Sequence, residues 1–173
     1  MSQSFQDFEI VITQAGKMAE NTNTGIKKAR GEIIKILYLD DYLAHPDALK
    51  NIVEAFEDEK VQWLVTGCLH QHGNEVPHSP HYPEYTENLS TGNNRIGSPS
   101  VLSFRNKEPL LFDERLSWLL DCDLYQRLHD RYGEPTILND LNIVIGLGAH
   151  QTTHLLPETE KLAEHEYLNE KYR

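Results

Sequence analysis

Apolar runs and helix-like segments alternate along the first half of this chain. Residues 8–12, 32–39 and 61–67 are short apolar or β-branched runs, and the middle run is nearly continuous in apolar residues. Continuous runs of this kind predict strands that are buried on both faces. Residues 48–56 instead carry apolar side chains at helical spacing. The order of strand, helix and strand predicts an α/β domain with a mostly parallel central sheet flanked by helices.

The pattern changes in the second half of the chain. Residues 70–98 are rich in Pro, Gly, Asn, Ser and His and show no periodicity. A segment of this length without secondary structure is usually a functional lid or a disordered segment. Regular patterns return as a strand at 100–105, a helix at about 121–131 and a glycine-bounded strand at 142–148. We therefore predict a single domain over residues 1–173.

The tail from about residue 157 is predicted to be a charged helix. Its apolar seam is thin and consists of Leu162, Tyr167 and Leu168. Helices in proteins gain most of their stability by packing an apolar face, so we expect this helix to dock on the body of the chain or on a second copy. The second arrangement would make the protein a homodimer.

Charge and cysteine content narrow the classes of partner. The chain has 16 basic and 27 acidic side chains and a net charge of −11. Nucleic acids and anionic membranes bind positive surfaces, so this balance argues against both and fits a protein that holds a cation or binds neutral substrates. No apolar run approaches the ~20 residues of a membrane span, and the start lacks a signal-peptide pattern. Cys68 and Cys122 have no CxxC spacing, which is typical of buried free thiols in a cytoplasmic protein.

Two adjacent aspartates follow the most apolar run. Asp40 and Asp41 stand where this run ends, and ligands of open α/β sheets bind at the carboxyl ends of strands. Neighbouring carboxylates repel each other unless a cation or several hydrogen-bond donors compensate. A divalent ion is one solution, because Mg²⁺ is often held by one or two carboxylates and substrate phosphates. The alternative is a helix-capping aspartate beside a solvated one, since a helix is predicted to begin a few residues later.

A second acidic pair, Asp121 and Asp123, lies near a predicted helix start. The helix dipole stabilises negative charge there, so helix capping explains the pair in structural terms. Asp121 also directly follows the apolar residues Trp118, Leu119 and Leu120. An apolar environment raises the pKa of a carboxyl group toward that of a working general base.

Histidines occur in two groups. His150 and His154 follow the last predicted strand, where an imidazole either completes a carboxylate metal site or serves as a hydrogen-bonded packing residue. The other group lies within residues 70–98 and matches no zinc-binding spacing. We interpret its members as solvated loop residues: His70, His72, His78 and His81.

Four stretches of the chain carry these candidate residues: "ENTNTGIKKARGEIIKILYLDDYLAHPDALKNIV", "IGSPSVLSFR", "LLFDERLSWLLDCDLYQRL" and "GLGAHQTTH". Taken in this order, they resemble the motifs of the family 2 glycosyltransferases, which have the GT-A fold. The first is similar to the family's Asn-x-Gly segment and DXD-type metal motif, and the second to its acceptor-side segment. The third is similar to the stretch with the catalytic base, and the fourth to the stretch that often holds a metal-binding histidine. The resemblance spans roughly residues 5–155, and the ordered series of four motifs is more specific than any single motif.

The resemblance implies a nucleotide-sugar site. Asp41 and His150 would bind a divalent metal, Mn²⁺ or Mg²⁺, and Asp40 would hydrogen-bond the donor ribose or share the ion. Asp121 would deprotonate the acceptor hydroxyl, and attack from the opposite face would invert the anomeric centre. The metal would neutralise the leaving diphosphate of a donor such as a UDP-sugar. The matched motifs also imply donor-side residues Asn23, Gly25 and Arg30, and acceptor-side residues Gly97, Ser98 and Trp118.

The chain also departs from the family pattern. Tyr38 stands where the longer form of the metal motif has its first aspartate. Residues 2–12 are similar to the end of the family's first helix and to its second strand, so the GT-A-like domain is expected to be N-terminally reduced. These departures favour a second hypothesis, a catalytically inactive nucleotide-sugar or glycan-binding module of the same fold, whereas Asp121 favours an inverting, metal-dependent glycosyltransferase. A third hypothesis is an interaction domain whose acidic pairs only cap helices.

Overall fold

A computed structural model of the chain describes residues 2–149 and 151–173. Its helices are α1 (Met18–Lys28), α2 (Ala48–Ala55), α3 (Leu120–Tyr132), α4 (Thr152–Leu155) and α5 (Glu158–Lys171). Its strands are β1 (Ile33–Lys35), β2 (Tyr42–Leu43), β3 (Trp63–His72), β4 (His78–His81), β5 (Leu102–Arg105) and β6 (Thr136–Leu147). Two 3₁₀ turns, Leu89–Thr91 and Pro99–Val101, lie between β4 and β5. The predicted α/β class is confirmed.

The described strands form one six-stranded mixed sheet. Its order is β1-β5-β3-β6-β2, and β4 also pairs with β3. Within the described residues, only the pairing of β3 with β6 is parallel, and the other pairings are antiparallel. The predicted sheet was mostly parallel, and that detail is wrong. Parallel neighbours need a crossover connection, usually a helix, whereas β5 follows β4 and two short turns and runs back along β3.

Helices cover both faces of the sheet. Along β3, Trp63 faces the larger hydrophobic core and Leu64 faces a smaller one beneath α2, as the alternation of side chains along a strand requires. In the larger core, the Tyr125 ring of α3 stacks on Trp63 with its centroid 6.0 Å away. Cys68 and Cys122 are buried in the same core as free thiols. The sheet is therefore the middle layer of the fold, with a hydrophobic core on each face.

Residues 8–12 are irregular in the structure and do not form the predicted strand. The side chains of Ile10 and Ile12 are 75% and 86% exposed. No strand among the described residues pairs with this segment. An apolar, β-branched run becomes a strand only where a neighbouring strand accepts its backbone hydrogen bonds, and none does so here.

Residues 70–98 contain more regular structure than their composition predicted. β3 continues as far as His72, and β4 pairs antiparallel with it over His78–His81. The rings of His72 and His78 stack with centroids 5.9 Å apart. The prediction of a wholly structureless segment is therefore wrong. The paired residues of these two strands are mostly histidines and other polar residues. The sequence therefore shows no alternation of apolar and polar positions there.

The C-terminal helix α5 packs on the body of the same chain. Leu168 is fully buried in the larger core, whereas Leu162, which belongs to the predicted apolar seam, is 62% exposed. The fully buried carboxylate of Asp123 in α3 accepts hydrogen bonds from the Lys171 ammonium at 2.5 Å and the Tyr172 hydroxyl at 2.7 Å. The docking surface is thus partly ionic. Like every other described helix, α5 is too short or too polar to span a membrane.

Candidate active site

A cavity of about 350 Å³ opens where the segment after β1 meets the end of β6. Five segments that are distant in sequence contribute to its walls, together with Met18 of α1. They lie within residues 38–41, 98–99, 117–121, 145–146 and 151–153. The fold thereby brings together five of the residues singled out from the sequence: Asp40, Asp41, Ser98, Trp118 and Asp121.

Asp41 is anchored to the strand that forms one wall. Its Oδ1 accepts a hydrogen bond from the Gly146 N–H of β6 at 2.9 Å. The Ser100 hydroxyl hydrogen-bonds the same carboxyl group and accepts a bond from the Tyr38 N–H at 2.9 Å. Burial raises the pKa of Asp41 above its ordinary value, and the charge of Asp40 adds to this, whereas the bonds from Ser100 and Gly146 oppose it. The carboxylate is therefore held in a fixed position at the cavity wall.

The turn that carries Asp40 lies directly against β6. The Asp41 N–H closes this turn by donating to the Tyr38 carbonyl oxygen at 3.0 Å. A Cβ atom at Gly146 would lie 2.5 Å from the Asp40 carbonyl oxygen, which is closer than the two atoms can approach. Asp40 is exposed and Asp41 is only 8% exposed. The two neighbouring carboxylates thus have different environments, and the glycine allows the turn to sit where it does.

The described lining of the cavity is negatively charged. It contains three carboxylates and neither Lys nor Arg. Lys35 lies behind the wall, where its ammonium donates to the carbonyl oxygens of Ile36 at 2.9 Å, of Leu102 at 3.3 Å and of Ser100. Burial lowers the pKa of Lys35 to about 7, an effect that the charge of Asp41 opposes. A cavity of this charge attracts cations and repels anions.

Asp121 reaches the cavity from the first turn of α3. Its Oδ1 accepts a hydrogen bond from the Cys122 N–H at 2.7 Å, so one oxygen satisfies a backbone donor of the first turn. Its Oδ2 accepts a bond from the side-chain amide of Asn94 at 2.8 Å. Burial raises the pKa of Asp121 to about 6, although these hydrogen bonds lower it. A carboxyl group with a pKa near the working pH is suited to accept a proton from a hydroxyl.

Asn94 ties the predicted acceptor-side segment to Asp121. Besides its bond to Asp121, its amide nitrogen donates to the Gly97 carbonyl oxygen at 2.9 Å. Its Oδ1 accepts from the N–H groups of Ile96 at 2.9 Å and Gly97 at 3.1 Å. Because both ends of the amide are occupied, its orientation is fixed. Gly97 has a φ of +119°, which favours glycine, and lies next to the cavity lining without being part of it.

Ser98 and Trp118 line the cavity itself. The Ser98 hydroxyl is buried and has no hydrogen-bond partner among the described residues. A buried polar group without a partner costs free energy, and a ligand hydroxyl in the cavity would relieve this cost. Trp118 is half-buried and adds an aromatic surface beside Asp121.

Three of the four residues predicted on the donor side lie outside the cavity lining. Asn23 is buried in α1, and its amide exchanges hydrogen bonds of 2.9 and 2.7 Å with the backbone of Phe112. Gly25 packs against the N-terminal segment. Arg30 forms an exposed ion pair with Glu9 at 2.8 Å. Their role in donor binding stays a prediction.

His150 lies outside the described residues. Among those that the structure does describe, no group of three or more His, Cys, Asp or Glu residues could hold a metal ion by itself. The metal-binding roles of Asp41 and His150 therefore stay predictions.

Three residues that hold the site were not predicted from the sequence. Asn94 and Ser100 orient the two key carboxylates, and Gly146 lets the turn of Asp40 approach β6. Only Asn94 left a sequence signal, because asparagine shortly before glycine is typical of a turn. The contact of Asp41 with Gly146 joins residues 105 positions apart, and no local pattern reports such a contact.

Solved structures that are similar to this chain include two of TarS from S. aureus. Residues 1–349 of TarS from S. aureus align with a TM-score of 0.54 at 19% identity, over 76% of this chain and 40% of the TarS chain. The same TarS segment in complex with UDP-GlcNAc aligns with a TM-score of 0.54 at 14% identity, over 82% of this chain and 42% of that chain. This chain thus spans about two fifths of the TarS chains. No protein-family model and no curated protein matches its sequence.

At these identities the likeness establishes the fold. TarS is a GT-A-type glycosyltransferase, so the predicted GT-A-like fold is confirmed. Membership of family 2 stays a prediction.

Proposed function

We propose that this chain is a glycosyltransferase domain that moves a sugar from a nucleotide-diphosphate donor, a UDP-sugar, to a hydroxyl acceptor with inversion at the anomeric carbon. The observation that carries the proposal is the position of Asp121, which lines the same cavity as Asp40 and Asp41 and has a pKa of about 6. The GT-A fold and the binding of UDP-GlcNAc by TarS support the donor class.

A divalent cation, Mn²⁺ or Mg²⁺, fits the charge of this cavity. A diphosphate would be repelled by the three carboxylates, since no Lys or Arg occurs in the described lining. Asp40 and Asp41 would hold the ion together with phosphate oxygens, as Mg²⁺ sites often do, and His150 would be a further ligand. When bound, the cation stabilises the negative charge of the leaving diphosphate.

Asp121 performs the proton transfer in the proposed reaction. The acceptor oxygen attacks the anomeric carbon, the bond from that carbon to the diphosphate oxygen breaks, and the hydroxyl proton passes to Asp121. At pH 7 a carboxyl group with a pKa of about 6 is mostly ionised and still more basic than an ordinary aspartate. Asn94 and the Cys122 N–H hold this carboxylate in place.

A second candidate is a nucleotide-sugar or glycan-binding module without turnover. The irregular conformation of residues 8–12 favours it, because the resemblance places the family's second strand there.

The decisive experiment measures release of UDP from a panel of UDP-sugars, with Mn²⁺ or with EDTA, for the wild type and Asp121→Asn. Metal-dependent turnover that is lost in the variant supports the transferase. Metal-dependent binding of UDP in calorimetry without turnover supports the binding module. The absence of any metal-dependent binding would refute both.

A further inference from the structure

A carboxylate of the C-terminal helix holds the segment that leads to Asp121. One oxygen of Glu164 accepts a hydrogen bond from the Ser117 N–H at 2.7 Å. The other oxygen accepts bonds from the N–H groups of Trp118 at 2.9 Å and Leu119 at 2.8 Å. Glu164 is only 9% exposed. Residues 117–119 are outside regular secondary structure, so this carboxylate supplies the partners that their backbone donors require.

The same helix also contacts the Trp118 ring. His165 packs against the indole in an edge-to-face arrangement with centroids 5.3 Å apart. The Lys161 ammonium lies 5.4 Å from the centroid of the indole, within the range of a cation–π interaction. Positions 161, 164 and 165 are three and four residues apart and share one helix face. One face of α5 therefore fixes both the backbone and the side chain of Trp118.

We infer that α5 supports the acceptor-side wall of the cavity and that Glu164 is a positioning residue for Trp118 and Asp121. This inference rests on the proposed function, because only a transferase has an acceptor. Glu164 is not among the described residues that line the cavity, whereas Ser117, Trp118 and Asp121 are, so it acts through them. Reaction rates are sensitive to such positioning, since a misplacement of about 1 Å can cost about 10²-fold.

The test compares Glu164→Gln with Glu166→Gln, an exposed position of the same helix. Glutamine keeps the size of Glu164 but has one acceptor oxygen, so its amide nitrogen faces at least one of the three backbone N–H groups. We expect the acceptor KM of Glu164→Gln to rise about tenfold, which corresponds to roughly 1.4 kcal/mol. The Kd for the UDP-sugar donor should change less than twofold, and Glu166→Gln should match the wild type in both constants.

Acrylamide quenching of tryptophan fluorescence tests the same contact without requiring activity. Trp63 is 1% exposed, so quenching reports mainly on Trp118. We expect stronger quenching in Glu164→Gln than in Glu166→Gln or the wild type. Should the wild type transfer no sugar, the proposed function fails, and the quenching comparison still decides whether Glu164 holds Trp118. Equal quenching in all three proteins overturns the inference, and so does an unchanged acceptor KM in an active Glu164→Gln enzyme.

A second variant covers the case in which Glu164→Gln does not fold. Lys161→Met removes the cation above the indole, and the carboxylate with which Lys161 pairs, Glu158, is exposed, so no buried charge loses its partner. A cation–π interaction is worth about 0.5–1 kcal/mol, so the acceptor KM should rise about two- to fivefold and quenching should increase. If neither quantity moves in this variant, α5 does not support the acceptor side.

Discussion

Replacing Asp121 by Asn removes a basic oxygen and a titrating group in one change. Because an amide does not accept the hydroxyl proton, the transfer rate should fall by about 10²–10⁴-fold. Donor affinity should hardly change. The amide of Asn94 cannot rotate to accommodate the new side chain, since its oxygen already accepts two backbone bonds. Two N–H donors then face each other, which lowers the free energy of unfolding by about 1–3 kcal/mol at every pH.

The pH dependence of the unfolding free energy separates the effect of the titrating Asp121 carboxyl group from this pH-independent cost. Burial raises the pKa of Asp121 from 3.8 to about 6, so the folded state binds the proton more tightly than the unfolded state. The resulting stabilisation is present below the unfolded pKa and is lost as pH rises through the folded pKa. At 1.36 kcal/mol for each pKa unit, integrating the proton uptake of the two states between pH 4.5 and 7.5 gives a loss of about 2 kcal/mol. Asp121→Asn lacks this loss.

The assay is urea unfolding of both proteins at pH 4.5 and 7.5, combined with transfer rates from pH 5 to 8. Relative to the wild type, Asp121→Asn should gain about 2 kcal/mol of unfolding free energy between the two pH values. The wild-type rate should rise with pH and level off above the folded pKa of about 6. Parallel pH dependence of the two stabilities would show that Asp121 titrates normally, and unchanged transfer in the variant would remove the residue from the mechanism.

Three further variants probe the walls of the cavity. Asp41→Asn should keep the fold, because the amide oxygen can still accept a hydrogen bond from the Gly146 N–H. It should weaken Mn²⁺-dependent UDP binding at least tenfold in calorimetry. The same Mn²⁺ dependence as the wild type would contradict the metal assignment. Gly146→Ala should displace the Asp40 turn and weaken the same binding, whereas Gly31→Ala, where a Cβ would meet its nearest described atom at 3.5 Å, should not. Ser98→Ala should raise the acceptor KM severalfold with unchanged or slightly higher Tm, because the buried hydroxyl has no described protein partner to lose; a lower Tm would reveal a structural role.

Elements with strong local patterns could be predicted, and contacts between distant segments could not. The helix predicted at about 121–131 is α3 (Leu120–Tyr132), and the strand predicted at 142–148 is the end of β6, because each carries its apolar pattern within one segment. The direction of β5 depends on its partners β1 and β3, so strand-and-helix order suggested a more parallel sheet than exists.

The candidate site shows the same division. Asp40, Asp41 and Asp121 stand out by sequence position, and the fold places them around one cavity. Glu164 gave no such signal, because apolar periodicity treats a charged residue as solvent-facing, whereas three backbone donors make its burial favourable. A residue of this kind is recognised only from the structure.

The contact between Glu164 and residues 117–119 also bears on synthesis at the ribosome. Leu119 precedes Glu164 by 45 residues, and chains grow at about 5–20 residues per second. For roughly 2–9 s after Asp121 has been added to the nascent chain, Glu164 has not yet been added. Helix α5, which holds residues 117–119, therefore cannot yet form. During that interval water must satisfy the N–H groups of residues 117–119. The aspartate that would activate the acceptor is thus made early, and its surroundings are completed only after α5 has been translated.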